Sequence, residues 1–159
     1  MYRRKDFDVR KLAKERQQRR KNDRRLVAIA YFGGGCSCGE TNSAFLTIAC
    51  GQDSKEIEVL CWNCLMVRRR PNGISKKFLK VMDVYGHQCN CCGERRERTL
   101  TLDHVRNDGG IERIAMYSHQ ILEKAIREAD RTRYQILCWS CNKARALKGM
   151  CPHVSNSRT

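Results

Sequence analysis

The chain has 159 residues, a formal net charge of +15 and only 7% aromatic residues. That length holds one domain or two very small ones, and so few aromatics exclude a large apolar core. Eleven cysteines would suit a secreted disulfide scaffold, but the longest apolar run, residues 26–32, is too short for a signal-peptide core or a membrane span.

The cysteines stand in closely spaced pairs, which favours a reduced compartment and metal over disulfides. The clustered charge predicts a polyanionic partner: two zinc–tetrathiolate sites would lower it only to about +11.

Residues 1–25 hold twelve Lys and Arg and four Asp and Glu, including Arg16-Gln17-Gln18-Arg19-Arg20-Lys21. Apolar residues are too sparse there for a core-facing stripe, so the segment is expected to be a nucleic-acid-binding arm. Arg19, Arg20 and Lys21 are its candidate phosphate contacts, and the arm is expected to turn helical on nucleic acid, where neutralised charge offsets the ordering entropy. Residues 26–32 read as a short buried strand or helix end, and Gly33-Gly34-Gly35 as a hinge.

An internal repeat follows. Cys38-Gly39-Glu40 matches Cys92-Gly93-Glu94, and Leu46-Thr47-Ile48 matches Leu100-Thr101-Leu102, both at an offset of 54 residues. Leu60-Cys61-Trp62-Asn63-Cys64 matches Leu137-Cys138-Trp139-Ser140-Cys141 at an offset of 77, so the second copy is larger by 23 residues between its strands. Two modules are therefore expected, at 26–67 and 75–153, with a solvated linker over 68–74 and a tail over 154–159.

Cys89/Cys92 and Cys138/Cys141 are C-x-x-C pairs, the spacing at which two tight turns aim four thiolates at one tetrahedral zinc. The matching set in the first copy is Cys36, Cys38, Cys61 and Cys64. Cys36-Ser37-Cys38 is C-x-C, which leaves Cys50 as an alternative to Cys36. Such sites contribute about 10–16 kcal/mol of apparent binding energy that is available only on folding. Cys91 sits inside a knuckle and could compete for its metal. Cys151 and His153 make two further ligands, too few for a site by themselves.

In the second module Ser75 caps a helix to about Tyr85, with Phe78, Val81, Met82 and Tyr85 on one face. Leu100 to Asp103 reads as a strand, then a polar loop, then one inserted helix over 111–129. Tyr134 to Leu137 is the second strand. Cys141 to Leu147 is a short helix carrying Lys143 and Arg145, with Lys148 just beyond and Gly149 as its stop. Structural zinc needs only the thiols. Asp103, His104 and Asn142 are surplus to it, and they are ligands and a base of the kind used in metal-assisted hydrolysis.

C-x-x-C, then Leu-Thr-Leu-Asp103-His104, then C-x-x-C-Asn142 resembles the zinc-containing HNH nucleases, also called ββα-metal or His-Me finger nucleases, of the phage HNH and phage recombination endonuclease types. Gly149-Met150-Cys151-Pro152-His153 also resembles the tail of those proteins, and the likeness covers residues 75–153. It implies that His104 is the general base and that Asp103 and Asn142 hold one divalent cation, Mg²⁺ or Mn²⁺. It also implies a closing helix along the DNA backbone, with Lys143, Arg145 and Lys148 on phosphates. The middle position of the motif has two candidates, Asn107 and His119. In the first copy Asp103, His104 and Asn142 fall on Ala49, Cys50 and Leu65, so that module is expected to be zinc-held and without nuclease chemistry.

The expected fold is small, zinc-stabilised α+β: tandem treble-clef or zinc-ribbon-like modules, the second a ββα-metal fold with an inserted helix. The expected function is metal-dependent DNA endonuclease, phage-encoded in a host cytoplasm or nucleoid-associated, with no membrane partner. The alternative is a non-catalytic zinc-dependent nucleic-acid-binding or assembly factor.

Overall fold

The computed structural model describes residues 3–50 and 56–156. Residues 1 and 2 of the expected arm and 157–159 of the expected tail lie outside the described residues. Among the described residues the chain is α+β, with seven α-helices and two separate two-stranded antiparallel sheets. No described helix is long and apolar enough to cross a membrane.

The first 29 described residues form one helix, α1 (Arg3–Tyr31), which runs straight through the boundary expected at residue 25. No Gly or Pro separates the arm from residues 26–31, and Lys, Arg, Gln and Leu are good helix formers. Among the described residues, its last turns touch the rest of the chain. Ile29 is buried, and Arg25 Nη1 donates to the carbonyls of Ser43 at 3.0 Å and Leu46 at 2.6 Å. Val27 and Tyr31 stay exposed, so residues 26–31 are a helix end and not a buried strand. Gly34, at φ 69°, stops the helix by donating its N–H to the Ile29 carbonyl at 2.8 Å.

Strands β1 (Leu46–Cys50) and β2 (Ile57–Cys61) form the first hairpin, followed at once by α2 (Trp62–Arg69). Strands β3 (Leu100–His104) and β4 (Tyr134–Cys138) form the second, followed at once by α6 (Trp139–Lys148). The repeat offsets map one register onto the other. Leu46 faces Cys61 as Leu100 faces Cys138, and Thr47 faces Leu60 as Thr101 faces Leu137. Each helix is capped by the last cysteine of its hairpin, Cys61 Sγ accepting from Cys64 N and Cys138 Sγ from Cys141 N. The knuckle turns also match: Cys36 N donates to Glu40 O and Cys89 N to Glu94 O, both at 2.8 Å. Gly39 and Gly93 both take positive φ there, a conformation that the turn requires and a side chain resists.

Between the hairpins, α3 (Lys76–Tyr85) starts where Ser75 Oγ accepts from Phe78 N and stops at Gly86. Phe78, Val81, Met82 and Tyr85 are its buried face. The segment expected as one helix over 111–129 is instead two, α4 (Gly109–Ala115) and α5 (Ser118–Glu128), broken by an extended Met116. The break resets the helical phase. Ile121 and Ala125 of α5 pack on α3, and Tyr85 Oη donates to the Ala125 carbonyl at 2.8 Å. On α4, Ile111 and Ile114 are exposed, while Glu112 is turned inward with its side chain only 8% exposed.

Two apolar clusters hold the fold. The smaller joins Ile29 to Leu46, Ala49, Val59, Leu60 and Leu65 of the first hairpin and its helix. The larger lies among α3, α5, β3, β4 and α6, and it also takes in Phe45 from just before β1. The linker is solvated only in part: Arg69, Pro71 and Asn72 are exposed, but two of its arginines are engaged. Arg68 pairs with Glu58, and Arg70 donates to the carbonyls of Arg98 and Leu100 at 3.1 Å each, so its charge ties the first module to the second. The last element, α7 (Pro152–Asn156), lies against α6.

Candidate functional site

The thiols come together as the spacing predicts. Cys36, Cys38, Cys61 and Cys64 form one group, and Cys89, Cys92, Cys138 and Cys141 a second. Cys50 ends β1 exposed and outside the first group, so Cys36 is the fourth candidate ligand there. Cys38 Sγ to Cys61 Sγ and Cys92 Sγ to Cys138 Sγ are both 3.8 Å. That matches the edge of a tetrahedron with zinc–sulfur bonds of about 2.3 Å, which is about 3.8 Å. Hydrogen bonds from Cys138 and Cys141 pull the Cys92 thiol down to about 7, while a hydrogen bond to Cys138 pushes Cys141 up. Four close thiols cannot all ionise by themselves, and a divalent cation allows all four to be thiolates. The donor sets fit zinc.

A third group is Cys91, Cys141, Cys151 and His153, whose ligand atoms lie within 4.8 Å of one another. Cys141 belongs to both this group and the second.

Asp103 and His104 occupy adjacent positions at the end of β3 and are both buried. Their side chains have different surroundings, as alternation along a strand requires. Asp103 pairs across the hairpin with Gln135, whose Nε2 donates to Oδ2 at 3.0 Å. Asn142, one residue past the last cysteine on α6, donates from Nδ2 to Asp103 Oδ1 at 3.1 Å. The structure therefore brings Asp103 and Asn142 into contact. Arg145, one turn further along α6, makes an ion pair with Asp103 and donates to the carbonyls of His104 and Val105. Burial pushes the Asp103 carboxyl above its ordinary value, against the pull of Gln135 and Arg145.

His104 lies against Tyr134, its cross-strand neighbour, with ring centroids 4.9 Å apart. Its Nε2 is 2.5 Å from Glu112 Oε2. Glu112 also accepts from Lys124 Nζ at 2.7 Å, from Arg133 and from the Tyr134 hydroxyl. Desolvation opposes ionisation of Glu112, but hydrogen bonds from Lys124, His104 and Tyr134 outweigh it and hold the carboxyl at about 2. A carboxylate at Nε2 makes that nitrogen the donor, so in neutral His104 the lone pair is on Nδ1. Nδ1 faces Gly109: a Cβ at that position would stand 2.4 Å from it. Glycine is required there by close approach.

A cleft of about 530 Å³ has His104 and Asn142 on its wall together with the cations Arg70, Arg113 and Lys143. Lys143 Nζ lies over the rings of Trp62 and Trp139, 5.4 and 5.5 Å from their centres. Lys148 is exposed in the last turn of α6, and Arg19, Arg20 and Lys21 are exposed on α1. Arg145 is the exception among the expected phosphate contacts, since its guanidinium is engaged by Asp103.

Of the two candidates for the middle position, Asn107 is an exposed turn residue at φ 57°. His119 is exposed on α5, stacked on Tyr117. The group in contact with His104 is Glu112, which sequence reasoning missed. Nothing in the pattern marks it, because Ile111 and Ile114 suggest the opposite face of α4. Gln135 was likewise missed, although its position opposite Asp103 follows once the hairpin register is known. In the first copy, Ala49 and Leu65 are buried and Cys50 exposed at the equivalent positions.

Comparison of the chain with protein-family models, with curated proteins and with solved structures returned no match.

Proposed function

We propose that this chain is a metal-dependent endonuclease of HNH type that hydrolyses phosphodiester bonds in DNA. The observation that carries the reading is the contact of Asp103 with Asn142 at 3.1 Å next to a histidine whose Nε2 is held by a carboxylate. Zinc held by thiols needs none of these three groups. On this reading the hairpin β3–β4 with α6 is a ββα-metal unit, the two modules are tandem treble clefs, and the zinc sites are scaffold.

His104 is the general base. Glu112 fixes its tautomer and orientation, so Nδ1 is free to take a proton from the attacking water. Any side chain at residue 109 would press on Nδ1, so glycine is needed there for the ring to keep this position. Arg70, Arg113 and Lys143 supply the positive wall on which a phosphodiester is bound. Asp103 and Asn142 are hard oxygen donors, few enough to suit Mg²⁺ or Mn²⁺ with several waters retained. Bound there, such an ion would stabilise charge on the scissile phosphate and the leaving oxygen. A buried carboxylate whose charge is disfavoured by desolvation fits a cation. Arg145 is its present counter-charge and must yield to the ion.

That ion pair also supports a second reading. With Asp103 neutralised by Arg145, the site is complete without a second metal, as a non-catalytic zinc protein that binds nucleic acid would require.

Supercoiled plasmid incubated with the zinc-loaded chain and Mg²⁺ or Mn²⁺ separates the two. Conversion to nicked or linear DNA by the wild type is the expected outcome, with a loss of roughly 10²–10⁴ in His104→Ala. Undiminished cleavage by a His104→Ala, Asp103→Ala double variant sinks the assignment to this site. Binding without cleavage under either ion selects the second reading.

A further inference from the structure

We propose that Cys91, Cys151 and His153 hold a further zinc ion, joined through a shared Cys141 thiolate to the zinc of the Cys89, Cys92, Cys138 and Cys141 site. The result is a thiolate-bridged dinuclear zinc centre. It requires that the second thiol group be a zinc site, and it is independent of nuclease activity.

Cys141 Sγ is the one atom common to the two groups. His153 Nδ1 stands 3.3 Å from it and 3.4 Å from Cys151 Sγ. In a tetrahedral site with zinc–sulfur and zinc–nitrogen bonds of about 2.3 and 2.0–2.1 Å, the sulfur–nitrogen edge is about 3.6 Å, close to both distances. The ring is also held in that orientation. His153 is stacked on Phe45 with centroids 4.7 Å apart and planes 18° from parallel, and Phe45 is buried in the larger core. Cys151 and Cys141 are buried, Cys91 is half-buried and His153 is exposed, so the group lies at the surface with its two central thiols covered.

The charge balances. Cys91 and Cys151 each release a proton to solvent, His153 binds as neutral imidazole through Nδ1, and Cys141 gives one lone pair to each ion. Two Zn²⁺ with these six thiolates carry the same net charge as one Zn²⁺ with four. The second ion therefore adds no net charge to the site. Its structural effect is to staple α7, which carries His153, to the knuckle turn at Cys91.

The test uses the full chain, reconstituted with excess zinc, desalted, and examined by native mass spectrometry. Three zinc ions per chain are expected, one for each thiol-rich group among the described residues. His153→Ala and Cys151→Ser should each retain two, with wild-type helical circular dichroism showing that the fold survives. Reconstitution with ¹¹³Cd tests the bridge directly. Two of three resonances should split each other by scalar coupling through the shared sulfur, and the splitting should vanish in His153→Ala. Two ions in the wild type would overturn the proposal and make Cys91, Cys151 and His153 hydrogen-bond partners of Cys141. Three ions without cadmium–cadmium coupling would overturn the bridge.

Discussion

Asn63 and Ser140 cap each other's helices. Ser140 Oγ accepts from Asn63 N at 3.3 Å, and Asn63 Oδ1 accepts from Ser140 N at 3.0 Å. Each is the second residue of its helix, α2 or α6, where a backbone N–H has no partner within the helix. The two positions are also equivalent in the repeat, so the halves of the chain meet as two copies meet across a two-fold axis. Trp62 and Trp139, again equivalent, both lie against Lys143 Nζ at the same junction.

Asn63→Ala leaves the Ser140 N–H buried without an acceptor and should cost about 1–2 kcal/mol, as should Ser140→Ala for the reciprocal bond. The double variant should cost less than the sum, because a junction loosened at one bond admits water to the other. Chemical denaturation of the zinc-loaded protein checks this. Strict additivity would mean that the two caps act independently.

The His104–Glu112 contact predicts two further variants. Glu112→Gln keeps the size of the side chain but removes the charge that fixes the imidazole. Cleavage should fall roughly 10- to 100-fold, by analogy with the partner groups of metal-binding histidines. Gly109→Ala places a methyl group where His104 Nδ1 requires space and should lower cleavage at least as far. Zinc content and DNA affinity should hold in both. Wild-type turnover in Gly109→Ala would show that Nδ1 is not the base.

The same carboxylate gives a pH dependence. Glu112 titrates at about 2 in the fold against an ordinary 4.5, so its ionised form stabilises the fold fully above that ordinary value. The support is lost as pH falls through about 2. Glu112→Gln should flatten stability between these limits, measured by acid titration of the circular dichroism signal. Asp103 has the opposite sign: its value is raised by burial, so protons compete with a cation there over a higher range than at an ordinary carboxylate. Mn²⁺ binding followed by electron paramagnetic resonance should weaken with acid while surface carboxylates are still ionised.

Association with DNA should be steeply dependent on salt. Replacing Arg19, Arg20 and Lys21 together by Glu removes exposed cations from α1 without touching the cleft. If each contacts a phosphate, the slope of log affinity against log salt should become shallower by about 2–3. An unchanged slope would place the electrostatic contact elsewhere, and cleavage of bound DNA should be unaffected either way.

The sequence made the thiol clusters and both hairpins legible for a simple reason: thiol spacing and strand alternation are local, and the repeat supplied each register twice. The helix at Lys76–Tyr85 was equally readable from Ser75, Gly86 and its apolar face. The inserted segment was not, because apolar spacing over 111–129 reports a helical period and carries no sign of a break at Met116. Two isoleucines that fit the pattern therefore point to solvent, and Glu112, which breaks the pattern, reaches the site. Phe45 and His153 were hidden for another reason: their contact links residues more than a hundred positions apart, and neither residue signals the other.

Helix α1 has one more implication. At about 1.5 Å per residue, its 29 residues extend about 43 Å, longer than one turn of B-form DNA at about 34 Å. Its anchors among the described residues, Arg25 and Ile29, lie in its C-terminal turns, so the exposed residues before them extend as a cantilever. Over residues 11–21 every residue is exposed to solvent, Arg19, Arg20 and Lys21 among them. Repulsion among its cations is screened by counter-ions, and a dense anionic neighbour would screen it further. On the proposed reading, reach and chemistry would then reside in different parts of the chain, and shortening the cantilever would shrink the footprint on DNA without altering the cleft.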